Sequence, residues 1–139
     1  MKLNDALFNL LNTIRNTILS EIKNTSLALA PMQFKSLKII SQIEACTGQK
    51  LTDYLGRDKA QINRLIKELV EKDLVTKTQC EQDKRSQIIS LTENGKHALR
   101  IFTQVEERVF SDMLKDVSSE EKEIFTKLVL TFKSNLNNR

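Results

Sequence analysis

A short turn at Gly56 separates two helical patterns, and it constrains the fold more than any other feature of the sequence. Before the turn, Leu51 and Leu55 are spaced as on one face of a helix. After it, Asp58 is a favourable N-cap. The helix that Asp58 begins has the apolar spacing of a buried helical face, carried by Ile62, Leu65, Ile66 and Leu69. Two helices joined by a glycine-containing turn of about three residues are typical of a helix-turn-helix.

Two short segments rich in β-branched residues follow this motif. Residues 74–80 and 86–92 have the composition of strands, and the polar segment 81–85 between them predicts a hairpin loop. A helix-turn-helix followed by a β-hairpin is a winged helix. The three glycines and one proline of the chain are too few for a sandwich or barrel, which needs turn residues at its strand ends.

Long helical patterns flank the winged helix. Residues 3–22 place their apolar side chains on one stripe, and Pro31 suits the first turn of a second helix, which we expect to end near Cys46. After the hairpin, Thr92 and Ser118 are predicted to cap two more helices. The predicted fold class is mainly α with a small β-hairpin wing, and the 139 residues fit one domain.

Several classes of protein are disfavoured by composition. No apolar segment reaches the roughly 18–20 residues of a membrane span, and polar residues interrupt the amino-terminal segment, so we expect a cytoplasmic protein. Cys46 and Cys80 lack metal-ligand spacing and His97 is the one histidine, so we predict no metal site and no cofactor. We treat both cysteines as small hydrophobic residues rather than redox sensors. No nucleophile–base pair or glycine-rich phosphate loop supports an enzyme.

The second helix of the motif has a basic outer face. Residues 57–67 carry four basic side chains against one acid, whereas residues 93–139 are neutral. In a major groove arginine pairs with guanine, and glutamine or asparagine pairs with adenine. The predicted DNA-contacting residues of this helix are Lys59, Ala60, Gln61, Asn63, Arg64 and Lys67. The alternative is a solvated helix face with no partner.

The hairpin tip carries Asp83, Lys84 and Arg85. A basic tip can contact the DNA backbone or a narrow minor groove, where negative potential favours arginine. Asp83 is placed to hold the guanidinium of Arg85 by a charge-assisted hydrogen bond. The alternative is a charged tip that only protects the hairpin from pairing with other strands.

The sequence resembles the MarR family of bacterial transcription regulators. The resemblance is carried by five motifs in order, LTDYLG at 51–56, NRLI at 63–66, DLV at 73–75, DKR at 83–85 and LTENG at 91–95. It implies a homodimer that places a recognition helix in each of two successive major grooves and a wing in each flanking minor groove. It also implies that residues 59–64 read bases, that Arg85 is the wing arginine and that Asp83 is its partner. Three residues depart from the family pattern. Ala30 replaces a capping Thr or Ser, which should weaken the start of the second helix by about 0.5–2 kcal/mol. Thr52 stands where a small residue is usual, and Asp73 replaces a common Gly, which puts a left-handed C-cap there in doubt.

The terminal helices predict a dimer independently of this resemblance. Their apolar stripes lie far from the winged helix in sequence, and a second copy of the chain would cover them. The alternative is that the stripes pack on one another within one chain. We assign residues 1–30 and 93–139 mainly to dimerisation and 31–92 to the winged helix-turn-helix that binds DNA. The predicted interface residues are Leu3, Leu7, Leu10, Leu11, Ile14, Phe125, Leu128, Phe132 and Leu136.

The sequence therefore predicts a sequence-specific DNA-binding regulator. We expect a homodimeric repressor that binds a pseudo-palindromic operator, with double-stranded DNA and a second copy of the chain as its partners. Release by a small-molecule effector is implied by the family resemblance, and the effector's identity is not encoded in any group of residues. The alternative function is a winged-helix adaptor that binds protein and has no DNA affinity.

Overall fold

The structure, a computed structural model, describes residues 1–82 and 85–139. Within them the chain forms, in order, α1 (Leu3–Lys23), α2 (Pro31–Gln42), α3 (Gly48–Leu55), α4 (Lys59–Glu71), β1 (Val75–Gln79), β2 (Gln87–Leu91), α5 (Glu93–Met113) and α6 (Ser119–Asn137). The predicted fold class is confirmed, with six helices and one antiparallel hairpin among the described residues. These residues divide into two compact units, 1–107 and 108–139, which are described separately.

The first unit has its core between α2, α3, α4 and the hairpin. The predicted inward face of α4 is buried, and it packs with Leu37, Ile40, Leu51 and Ile89. A second contact joins α2 to α5, where the rings of Phe34 and Phe102 stack with centroids 5.1 Å apart. This core fixes the scaffold on which the outer face of α4 is displayed.

The predicted caps of the helix-turn-helix form. Thr47 accepts the amide of Lys50 at 3.2 Å to begin α3, and Gly56 ends that helix in the left-handed conformation with φ 63°. Asp58 Oδ1 then accepts the amide of Gln61 at 2.8 Å to begin α4. The left-handed turn needs a residue without a Cβ penalty, which glycine supplies.

The predicted end of the second helix near Cys46 is wrong. Helix α2 ends at Gln42, and Ala45 takes a left-handed φ of 50°. Residues 46 and 47 instead pair with the hairpin: Ile89 donates its amide to Cys46 O at 2.7 Å, and Thr47 forms an isolated bridge with Ile88. The hydrogen bond from Ile89 thus joins the segment after α2 to the hairpin.

A compact junction joins α4, the hairpin and α5. Asp73 has a left-handed φ of 57°, and Leu74 donates its amide to Leu69 O at 2.9 Å, so the C-cap left in doubt by Asp73 does form. Thr92 donates its hydroxyl to Asp73 O at 2.6 Å and accepts the amide of Gly95 at 3.0 Å. A Cβ on Gly95 would overlap Leu74 O. The glycine is therefore required by close backbone packing.

The second unit contains the end of α5 and all of α6. The predicted capping box forms, because Ser118 Oγ accepts the amide of Glu121 at 3.1 Å and Glu121 Oε1 accepts the amide of Ser118 at 3.0 Å. Hydrogen bonds from the Ser118 amide and, secondarily, the Ser118 side chain to the Glu121 carboxylate lower its pKa. No residue of α6 is buried. Its apolar side chains therefore lack cover from the described residues.

Candidate nucleic-acid interface

The outer face of α4 is open to solvent. All six residues that the sequence assigns to DNA contact on this helix, Lys59, Ala60, Gln61, Asn63, Arg64 and Lys67, are exposed. Residues three and four apart share a face of a helix, so these exposed residues and the buried residues of α4 are interleaved in the sequence. The geometry leaves these side chains available to a partner, and their contact with DNA remains a prediction.

Two recesses flank this outer face and divide the predicted DNA-contacting residues. One, of about 330 Å³, lies between α4 and the hairpin, and Lys59, Asn63 and Arg85 line it. The other, of about 340 Å³, is lined by Gln61 and Arg64. Each residue of a helix is rotated by about 100° from the one before, which places Lys59 and Asn63 on one side of the outer face and Gln61 and Arg64 on the other.

Lys77 is a cation that the sequence analysis missed. It is exposed on β1 and lines the same recess as Lys59 and Arg85. It pairs with the buried Ile89 in the strand register and shares a strand face with Val75, which is also buried. The sequence did contain a signal for Lys77. Side chains two residues apart in a strand lie on the same face, so a cation two residues after the buried Val75 should lie on the side of the hairpin that faces the helices.

The predicted wing tip is only partly described. Arg85 is exposed and lines the recess beside α4. Asp83 and Lys84 lie outside the described residues, so the predicted pairing of Asp83 with Arg85 remains a prediction. The structure therefore brings Arg85 together with Lys59 and Asn63 but does not test the rest of the tip.

A polar cluster built around one buried side chain lies behind α4. The side chain of Gln33 is 4% exposed, and its Oε1 accepts the amide of Ala30 at 2.9 Å and Lys72 Nζ at 3.0 Å. Its Nε2 donates to Glu68 Oε2 at 3.2 Å. Lys72 Nζ also donates to Ala28 O at 3.1 Å. Gln33 thus supplies the acceptor for the Ala30 amide, which is one half of a capping box; the other half would need a hydroxyl or carboxylate at position 30.

A larger cavity lies between α1, α2 and α5 within the first unit. It has a volume of about 660 Å³, and apolar side chains such as Ile18, Met32 and Phe102 line it. Its charged lining is cationic: Arg15, Lys35, Lys38 and Arg57 against the single carboxylate of Glu106. Lys38 Nζ lies 3.0 Å from Glu106 Oε1, so one of these four cations already has an acidic partner.

The two cysteines differ in access. Cys46 is buried, and burial raises the pKa of its thiol, which favours the unreactive protonated form. Cys80 is half-buried at the end of the first wing strand. The described residues contain no group of three His, Cys, Asp or Glu side chains able to hold a metal ion. His97 is exposed on α5.

This difference predicts the order of thiol modification. In the native protein we expect a thiol reagent to modify Cys80 at least about tenfold faster than Cys46, because only the exposed thiolate reacts readily. Time-resolved labelling followed by peptide mass spectrometry measures both rates. The Cys80→Ser variant should lose the fast phase, and denaturant should make Cys46 reactive. Fast labelling of native Cys46 would contradict its burial.

None of the helices in the described parts of the chain is long and apolar enough to cross a membrane.

A helix-turn-helix with an exposed polar helix and a cationic hairpin beside it defines a winged-helix protein of the DNA-binding class. Residues 29–87 match the model of the MarR family. This part of the chain is similar to the MarR family, as the sequence motifs predicted, and the match supports a DNA-binding transcriptional regulator of that type.

Relatives and solved structures agree with this assignment. The HTH-type transcriptional regulator YdgJ of Bacillus subtilis is 23% identical over 110 residues, which are 79% of this chain and 67% of YdgJ. SarZ of Staphylococcus epidermidis, also an HTH-type transcriptional regulator, is 33% identical over 76 residues, or 55% of this chain and 51% of SarZ. The chain thus spans two thirds of the first relative and about half of the second.

The fold similarity extends over nearly the whole chain. A MarR family protein from Bacillus stearothermophilus superposes with a TM-score of 0.86 at 17% identity, covering 97% of this chain and 93% of that one. A MarR transcriptional regulator from Methanosarcina mazei Go1 gives 0.79 at 23% identity, covering 98% and 97%. At these identities the comparison establishes the fold.

Proposed function

We propose that this protein is a homodimeric repressor that binds a pseudo-palindromic operator. The observation that carries the proposal is the exposed outer face of α4. Recesses lie on both sides of it, and they are lined by side chains of α4 and of the hairpin. A helix of this kind fits a major groove, and a dimer would occupy two successive grooves. Such a complex represses by excluding other proteins from the same DNA. A protein that binds an operator must be in the same compartment as the chromosome, so the proposed location is the cytoplasm.

The proposed contacts divide by chemistry. Residues 59–64 read base edges, with Gln61, Asn63 and Arg64 as the hydrogen-bonding side chains and Ala60 leaving room for close approach. Lys67 and Lys77 contact phosphates, which position the protein without reading sequence. The wing residues Asp83, Lys84 and Arg85 contact the flanking minor groove and backbone.

Exposed apolar residues on both terminal helices support the dimer. On α6, Phe125 is 46% exposed and Leu136 is 66% exposed, and on α1 Leu3 is 66% exposed. Apolar surface buried between two copies would contribute about 25 cal/mol per Å² to association. Homodimerisation through the nine residues named from the sequence would remove this surface from water.

The cationic cavity between α1, α2 and α5 supports release by a small ligand. Its volume of about 660 Å³ and its lining of apolar side chains with Arg15, Lys35 and Arg57 suit an anionic molecule with an apolar body. Such a ligand releases the operator only if it binds the DNA-incompetent conformation more tightly. A compound of this class that stabilises the protein against heat and weakens duplex binding would support this part of the proposal.

Selection of duplexes from a random library tests the function as a whole. The purified protein should enrich a site of two inverted half-sites about one helical turn apart, and sedimentation should show two protein copies on each duplex. A single asymmetric half-site would contradict the dimer. Failure to enrich any site would contradict the DNA-reading function and favour the adaptor.

Substitutions on α4 should separate base reading from phosphate contact. Gln61→Ala should relax the preference at one base pair in each half-site, at a cost of about 1–3 kcal/mol, because it removes a side chain that pairs with a base edge. Lys67→Ala should weaken binding to all sequences alike and lower the salt dependence of binding by about 0.9 per lost phosphate contact. Titrations against the selected site and single-base variants measure both effects. Equal, sequence-independent losses from the two variants would overturn the base-reading role of Gln61.

A further inference from the structure

We infer that Gln33 is a positioning residue for DNA reading: it holds Glu68 away from Arg64 and fixes the recognition helix α4 on α2. This inference rests on the proposed DNA-binding function and deepens it. Gln33 lies on α2, outside the exposed face of α4, and it is 4% exposed. It therefore acts through other residues and does not itself contact DNA.

The first argument is the pattern of hydrogen bonds around the Gln33 amide. Its Nε2 donates to Glu68 on α4 and its Oε1 accepts from Lys72, the C-cap of that helix, so one side chain contacts two positions that are one turn apart. Two contacts along one helix restrict both its rotation and its translation. Lys72 extends the restraint to Ala28 O, in the segment that connects α1 to α2.

The second argument is the choice of a polar residue at a buried position. A buried amide needs its partners, whereas an apolar side chain of similar shape fills the same space without that requirement. Satisfied polar networks in a core rigidify it and specify a single arrangement. The polarity of Gln33 is thus explained by precise placement of α4 and not by the packing of the core alone.

The third argument concerns the charge next to Arg64. Glu68 follows Arg64 by four residues and lines the same recess, a spacing at which opposite charges on a helix pair. Within the described residues, Glu68 bonds to Gln33 and forms no ion pair with Arg64. Loss of Gln33 would free the Glu68 carboxylate to bind the guanidinium that is proposed to read a base. Gln33 therefore keeps Arg64 available.

Exchange of the amide and carboxylate between positions 33 and 68 provides the test. Discrimination is measured as the ratio of affinities for the selected duplex and for a duplex altered at the base pair read by Arg64. Gln33→Met should lower this ratio by about tenfold, which is near the lower end of the effect of losing one base contact. Gln33→Glu should lower it at least as much, since two carboxylates would face each other. The double variant Gln33→Glu/Glu68→Gln restores the donor and acceptors with unchanged net charge, and it should recover discrimination to within about twofold of the original.

Ser36→Ala is the matched control. Ser36 is buried on the same helix, and within the described residues its hydroxyl donates to Met32 O, so this change removes a hydrogen bond inside α2 and none to α4. All variants are compared at a temperature where circular dichroism shows them folded. Ser36→Ala should leave discrimination unchanged.

The outcomes separate two failures. Full discrimination by Gln33→Met, or no recovery by the double variant, would overturn the positioning role while leaving DNA reading intact. If the unsubstituted protein discriminates between no duplexes, the proposed function fails and the role of Gln33 fails with it. Denaturant unfolding of the unsubstituted protein, Gln33→Glu, Glu68→Gln and the double variant measures the coupling between positions 33 and 68 without DNA, and zero coupling would overturn the contact itself.

Discussion

Gly95→Ala is expected to lower the free energy of unfolding by about 3 kcal/mol. The added Cβ would overlap Leu74 O, and backbone atoms cannot move aside as a flexible side chain can. Overpacking of this kind costs about 1–3 kcal/mol. Displacing Leu74 O would also weaken its hydrogen bond to the Thr92 amide, 3.0 Å long, at about 1 kcal/mol more. Denaturant unfolding followed by circular dichroism measures the loss.

Gly48→Ala is the matched control for this prediction. A Cβ at Gly48 would meet Ile66 Cδ1 at 3.6 Å, which is an ordinary van der Waals contact. Because alanine favours helix over glycine by about 1 kcal/mol, this change should be neutral or stabilising. Equal stability of the Gly95→Ala and Gly48→Ala proteins would contradict the close approach of α5 to the start of the hairpin.

The elements that sequence predicts well are those determined by nearby residues. The starts of α3, α4 and α6 follow from the side chains of Thr47, Asp58 and Ser118, each of which accepts an amide three residues further along. The end of α3 follows in the same way from the left-handed Gly56. Such caps are local, so one sequence is enough to locate them.

The end of α2 depends on a residue far along the chain. Nothing near residue 42 stops the helix, and the apolar pattern continues to Cys46. The carbonyl of Cys46 is taken by the amide of Ile89 across the winged helix, and this tertiary contact overrides local preference. Helix propensity predicts the end of a helix poorly where a strand offers hydrogen-bond partners to the residues that follow it.

The candidate site shows the same division between local and tertiary information. The exposed and buried faces of α4 follow from helical periodicity and were predicted correctly from sequence. Lys77 and Gln33 were missed because their relation to α4 requires the hairpin and α2 to be packed against it. Ala30 illustrates the limit most directly. It lacks a capping side chain, yet its own amide is satisfied by Gln33 Oε1, a contact that also belongs to the network with Glu68 and Lys72.

Replacing both Arg64 and Arg85 by alanine should lower affinity for the selected duplex by at least about a hundredfold. Arg64 is the proposed base reader on α4, and Arg85 is exposed in the recess between α4 and the hairpin. Each lost base contact costs about 1–3 kcal/mol, and a dimer would lose it in both half-sites. The salt dependence of binding should also decrease, by about 0.9 for each phosphate contact removed. Titration of the duplex at several salt concentrations gives both quantities.

The single variants and a charge-matched control show which contact is responsible for the loss of duplex affinity. Arg64→Ala should mainly reduce discrimination at one base pair, whereas Arg85→Ala should reduce affinity for the sequences flanking each half-site. Lys2→Ala/Arg139→Ala removes the same two charges from exposed residues that belong to neither α4 nor the hairpin, and it should change binding by less than about twofold, because charges outside the interface are screened by salt. If the Arg64/Arg85 double variant binds as tightly and with the same salt dependence as the unsubstituted protein, the winged helix does not read DNA through these residues.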